Sequence, residues 1–79
     1  MKVYINTVFE EVYSGEAKEV VLPGDGGELS IMNFHQPIVC RLAAGAVKII
    51  SHRSVKSIPI MDGIAHMEGD TLKIMAEVA

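Results

Sequence analysis

The residue types that can do chemistry crowd into one stretch, "LPGDGGELSIMNFHQPI", Leu22 to Ile38. It holds three glycines, two prolines, two carboxylates and a histidine. Glycines beside charged groups are the raw material of a phosphate cradle, and a histidine among carboxylates is that of acid–base work. The phosphate reading fails on spacing. A P-loop needs Lys-Ser/Thr after its glycines, and a dinucleotide fingerprint needs G-x-G-x-x-G opening a helix. Here the glycines run into "ELSI", which alternates like a strand, and Asp25 and Glu28 would repel a phosphate. The expected role is a tight turn that uses glycines at positive φ.

Other chemistry fares no better. His35, His52 and His66 are widely spaced, and no pair has a ligand spacing such as H-x₃-H. His52 sits in the polar turn "SHRS", and His66 is expected to point out of a strand, so no metal site is expected. Cys40 lies among apolar neighbours in "IVCRL". A thiol buried there is a small hydrophobe with a raised pKa, unlike a reactive thiolate. Ser30 and Ser51 lack a nucleophile-elbow context. Glu10-Glu11 reads as a solvated turn or a charged edge strand. No nucleophile stands with a base and an orienting group, so neither catalytic residues nor a cofactor is expected.

The elements that hold these residues are strands. The dominant hydrophobic period is two. Val3, Ile5 and Thr7 alternate with Lys2, Tyr4 and Asn6; Ile38, Cys40 and Leu42 alternate with Val39 and Arg41. Leu72, Ile74, Ala76 and Val78 face one way, and Thr71, Lys73, Met75 and Glu77 the other. That pattern suits strands with one buried face. Turn signals recur at Ser14-Gly15, Gly24 to Gly27, Ala44-Gly45, Ser51 to Ser54, Asp62-Gly63 and Gly69-Asp70. Gly69-Asp70 has the form of a two-residue II′ hairpin. Many short strands at this spacing predict an all-β sandwich or barrel.

Size and charge narrow the function classes. The chain has 79 residues, 49% apolar and 22% charged, with a net charge of −3. One domain over 1–79 is expected, with an aliphatic core, since four residues alone are aromatic. No basic stripe is present, which argues against a nucleic-acid partner. One cysteine allows no internal disulfide, which fits a reducing compartment. No leader-like segment and no apolar run of about 20 residues appears, so a soluble cytoplasmic chain is expected.

At "GGELSIMNFHQPIVCRLAAGAVKI" the sequence resembles the epsilon subunit of F-type ATP synthases, in its N-terminal β-sandwich domain. The matching pieces are Tyr13-Ser14-Gly15-Glu16, Leu22-Pro23-Gly24, Gly27-Glu28-Leu29, His35-x-Pro37-Ile38 and Ala44-Gly45-Ala46-Val47-Lys48-Ile49, then Ile60 to Met67 and Leu72 to Glu77. They cover essentially all 79 residues in order. The chain departs from the family at Asn33-Phe34, where Pro-Gly is usual, at Ser30 for glycine, at Gln36 for alanine and at Asp62-Gly63 for Gly-Gly.

The resemblance implies a ten-stranded sandwich of two five-stranded sheets. It implies a non-catalytic rotor subunit at the foot of the central stalk, packing on the gamma subunit and the c-ring. Such a part couples proton or sodium translocation to ATP synthesis, peripherally on the cytoplasmic face of the bacterial inner membrane. It implies contact residues as well: Glu28 toward the c-ring loops and His35 near the gamma and c-ring junction, with Ile31, Met32, Asn33 and Phe34 around them. Ile50, Val39 and Met75 fall on otherwise polar strand faces and are the expected source of an apolar gamma contact. Many members continue into an inhibitory C-terminal helical hairpin. This sequence ends at "KIMAEVA" after its last predicted strand, so that hairpin is not expected. The competing reading is a stand-alone β-module that binds a peptide or small ligand in a concave pocket.

Overall fold

The computed structural model describes residues 1–33 and 37–78, and every regular element among them is a strand. In chain order these are β1 (Lys2–Asn6), β2 (Glu11–Glu16), β3 (Glu19–Gly24), β4 (Gly27–Met32), β5 (Ile38–Leu42), β6 (Gly45–Ile50), β7 (Val55–Ile60), β8 (Asp62–Glu68) and β9 (Thr71–Glu77). The period-two segments became strands because alternate side chains of a pleated chain emerge on opposite faces. Among the described residues no helix is long and apolar enough to cross a membrane.

The strands form two halves. One runs β2-β1-β9-β8-β5, and the other β4-β3-β6-β7. All neighbours are antiparallel except β1 and β9, which run parallel. The halves are one continuous sheet because β3 serves both. Its first residues pair with β6, while its last, Gly24, bridges to Leu42 of β5. Two flanking bonds secure this corner: the Ala43 N–H donates to the Pro23 carbonyl at 2.8 Å, and the Asp25 N–H to the Arg41 carbonyl at 2.9 Å. The described residues thus give nine strands, five and four, where ten in two equal sheets were expected.

The inner faces of both halves supply one core. Val3, Ile5, Met67, Leu72 and Ile74 come from the larger half, and Val20, Leu22, Ile31, Val47 and Ile49 from the smaller. The fold is therefore a β-sandwich, with predominantly aliphatic filling and Met67 as its adaptable piece. At the edge opposite the β3–β5 corner one side-chain contact spans the two halves. The ammonium of Lys56 on β7 lies 5.7 Å from the ring centroid of Tyr13 on β2, joining the two outermost strands by a cation–π contact. Strands with one neighbour carry guards against stray pairing: β2 has Glu11 and Glu16, and β7 has Pro59.

Two hairpins depend on glycine. Gly69 opens the two-residue turn between Glu68 and Thr71 with φ +63°, as the sequence predicted for Gly69-Asp70. Gly27 receives the chain after the Asp25-Gly26 turn with φ +129°, where a side chain is rarely tolerated.

Candidate functional site

The glycine-rich stretch is the β3–β4 hairpin, and its register decides which side chains are available. Val20 pairs with Ile31 and Leu22 with Leu29, and these point to the core. Glu19 pairs with Met32, Val21 with Ser30, and Pro23 with Glu28, and these point outward. Register through β6 and β7 extends the rows: Met32–Glu19–Ile50–Val55 and Ser30–Val21–Lys48–Ser57. Glu28, Ser30 and Met32 thus stand on one outer face beside Ile50 and Val55. Met32 is 55% exposed and Val55 65%, so this face shows apolar surface to solvent.

The polar groups of this face carry no catalytic arrangement. The Ser30 hydroxyl donates to the Glu19 carboxylate, which ties β4 to β3. Glu28 is exposed, and no ion pair closes on it among the described residues. The Asn33 Oδ1, where the chain leaves β4, accepts a hydrogen bond from the Met1 amine, which also donates to the Ala17 carbonyl at 2.7 Å. What the face offers is an open carboxylate on a strand stapled to its neighbour, with aliphatic surface alongside.

The expected contact residues therefore separate. Glu28 and Met32 share the outer face, and Asn33 follows at its margin. Ile31 does not belong with them: its side chain is fully buried. Alternation sends it inward, so it anchors β4 to the core. Phe34 and His35 lie outside the described residues. The apolar trio separates as well. Ile50 is half-buried on the β4 side, whereas Val39, 67% exposed, and Met75, 52% exposed, stand on the outer face of the other half. Each stands on the otherwise polar side of its strand, as alternation predicts, but the strands belong to different halves, which alternation does not encode.

That second face holds residues not singled out above. Ile64 of β8 sits directly beside Met75 of β9 and is 56% exposed. Val8 and Phe9, in the turn between β1 and β2, are exposed to 81% and 93%. Together with Ala76 and Val78 from the inward side of β9 they line a groove of about 770 Å³, which is therefore not confined to the outer face. The signal for Ile64 was present, since it alternates with Asp62 and His66 on a polar face.

The remaining candidates lie where expected. His52 is exposed in the β6–β7 turn, and His66 is exposed on β8. Cys40 is half-buried against the core, and burial pushes its thiol up from the ordinary value. Glu10 ends the β1–β2 turn and Glu11 begins an edge strand, both exposed.

Comparison with known proteins agrees with this architecture. A family model described as "ATP synthase, Delta/Epsilon chain, beta-sandwich domain" matches residues 1–79. The ATP synthase epsilon chain of Bordetella parapertussis is 37% identical over 71 residues, covering 89% of this chain and 51% of that protein. That of Herminiimonas arsenicoxydans is 35% identical over 81 aligned positions, covering 100% of this chain and 58% of that protein. The chain thus spans 51–58% of the length of these curated relatives. Among solved structures, a chain of the Tetrahymena thermophila mitochondrial ATP synthase central stalk and c-ring matches with a TM-score of 0.82 at 19% identity. It covers 98% of this chain and 63% of that one. A chain of the Euglena gracilis mitochondrial OSCP/F1/c-ring assembly matches with a TM-score of 0.87 at 17% identity, over 94% and 48%. At such identities these structures speak for the fold alone.

Proposed function

The chain belongs to the ATP synthase delta/epsilon-chain β-sandwich family, and from that premise we propose that residues 1–79 act as one domain, a non-catalytic part of the central stalk. In this reading it packs on the gamma subunit and on the c-ring, and helps couple proton or sodium translocation to ATP synthesis. The observation that carries the proposal is the family match along the whole chain. The chain reaches the membrane only through the complex, at the cytoplasmic face of a bacterial inner membrane.

The mechanism is mechanical. A part that transmits torque must resist shear, and the two halves of this sandwich are joined by hydrogen bonds at the β3–β5 corner and touch through Lys56 on Tyr13 at the far edge. It has no long loop among its described residues. The outer face of β4 is the docking surface toward the c-ring. Glu28 offers its carboxylate to basic groups of the ring's polar loops, and Met32, Ile50 and Val55 add apolar area. Asn33 continues the contact at the end of β4, and the resemblance adds Phe34 and His35, which lie outside the described residues. An exposed ion pair is worth only about 0.2–1 kcal/mol, so Glu28 sets register and orientation more than affinity.

Affinity capture tests the reading. The tagged chain, mixed with the cognate gamma subunit and detergent-solubilised c-ring, is expected to retain both. Retention of neither, with the chain folded by circular dichroism, would refute it.

A further inference from the structure

The chain contains two Asp-Gly sequences, Asp25-Gly26 and Asp62-Gly63, and the fold holds them in opposite states. Such a pair has an intrinsic chemistry. The glycine's backbone nitrogen can attack the aspartate's Cγ, because glycine carries no Cβ to obstruct the approach. The rate depends on how freely the peptide between them can turn.

Asp25-Gly26 is free to turn. The two residues make up the whole turn between β3 and β4, since Gly24 pairs with Gly27. Both are exposed. Among the described residues no acceptor takes the Gly26 N–H, and no ion pair holds the Asp25 carboxylate. A Cβ at Gly26 would meet nothing within 4 Å. Asp62-Gly63 is restrained. Gly63 stands inside β8, paired with Leu42 of β5 on one side and Ala76 of β9 on the other. A Cβ there would meet the Met75 carbonyl oxygen at 2.9 Å. The Gly63 N–H donates to Asp62 Oδ1 at 2.7 Å. That bond aims the hydrogen, and not the π face of the nitrogen, at the carboxylate, so attack requires β8 to open first.

We propose that Asp25 is a site of isoaspartyl formation, that the change loosens the β3–β5 corner, and that the altered residue is a substrate for carboxyl methylation. The Gly26 nitrogen bonds to Asp25 Cγ, a Cγ–O bond breaks, and the carboxyl hydroxyl leaves as water with the Gly26 proton. The cyclic imide then takes back one water at the Asp25 backbone carbonyl carbon, and the bond from that carbon to the Gly26 nitrogen breaks. The chain now runs through Cβ and Cγ, one backbone atom longer, and the former main-chain carbonyl is a free carboxylate that can accept a methyl group. Water is released and taken up in equal amount, and nothing is oxidised or reduced. A two-residue turn cannot absorb an added backbone atom without moving its ends. The bonds that join the halves flank this turn: Gly24 bridges to Leu42, the Asp25 N–H donates to the Arg41 carbonyl, and the Ala43 N–H donates to the Pro23 carbonyl. Lengthening the turn pulls these donors and acceptors out of line. The inference does not depend on the stalk reading.

The test ages the chain at physiological temperature and neutral pH, folded and in urea. Isoaspartate is counted by methyl transfer from S-adenosylmethionine with a purified isoaspartyl methyltransferase, and located by electron-transfer fragmentation of the peptides. In the folded chain Asp25 is expected to convert at least about tenfold faster than Asp62. In urea, where both pairs are released, the two rates should agree within about twofold. Gly26→Ala fits the open turn, and its methyl group should slow conversion at Asp25 about tenfold. The converted chain, separated by reversed-phase chromatography and refolded, should lose hydrogen-exchange protection at Ala43 while Ile5 and Ile74 keep theirs. Conversion at both sites in urea with none at Asp25 in the folded chain, equal folded rates at the two sites, or unchanged protection at Ala43 would overturn the proposal.

Discussion

The two outer faces of this sandwich are built from the same alternation, yet they offer different surfaces. The β4 side is shallow and open, with one uncommitted carboxylate among aliphatic side chains. The β8–β9 side is concave, with a projecting aromatic ring and a repelling pair of acids. One shows an open carboxylate beside Met32 and Val55, and the other shows the exposed Phe9, Ile64 and Met75 with Asp62 opposite Glu77. The lesson is that one alternation, carried on two halves of a sandwich, leaves chemically different outer surfaces.

Substitutions can break this comparison, and the largest effects come from beneath the faces. Ile31→Ala should lower unfolding free energy by about 2–5 kcal/mol, because it leaves a cavity under β4. Met32→Ala, one residue away and outward, should change it by no more than about 0.5 kcal/mol. Urea unfolding checks both, and similar costs would deny the assigned inward and outward sides. Next come the hairpins that support each face. Gly69→Ala should cost about 1–2 kcal/mol, since φ +63° is left-handed. Gly27→Ala should cost more, since φ +129° lies outside the left-handed well that other residues reach. Thermal melts that reverse this order would show the two corners to be misassigned. A smaller effect is expected where the halves meet. Lys56→Met should lose about 0.5–1 kcal/mol of the cation–π contact while leaving both faces intact.

Cys40 gives the smallest readout. Burial raises its thiol pKa, so the folded state holds the proton more tightly than the unfolded chain. That contribution is fully present below the ordinary thiol range near pH 8.5 and is lost as pH rises through the folded-state value. Alkylation by iodoacetamide at pH 8 should therefore be slower in the folded chain than in urea. Equal rates would put the thiol in open solvent.

Much of this was legible from residue order. Leu72, Ile74 and Ala76 alternate without interruption and are buried, and Gly69-Asp70 announced its hairpin, because strand period and turn chemistry are local properties. The pairing of halves was not legible. β3 shares itself between β6 and β5, a choice made by tertiary closure, and nothing in "EVVLPG" records it. The same gap scattered the proposed sites. Ile31 lies two residues from Leu29 and shares its inward side, so alternation alone predicts its burial. Val39, Met75 and Ile50 looked equivalent as apolar breaks in polar faces, and only the fold shows that they stand on two surfaces. The Asp62–Glu77 opposition arises from register alone.

The central claim, that the β4 face is the one turned to the c-ring, is tested most directly by cross-linking in the assembled complex. Glu28→Cys and Met75→Cys are each introduced into a Cys40→Ala background, with a cysteine in the polar loop of the c-subunit. The account predicts a disulfide to the ring from Glu28→Cys and none from Met75→Cys. A cross-link from Met75→Cys with none from Glu28→Cys would contradict it.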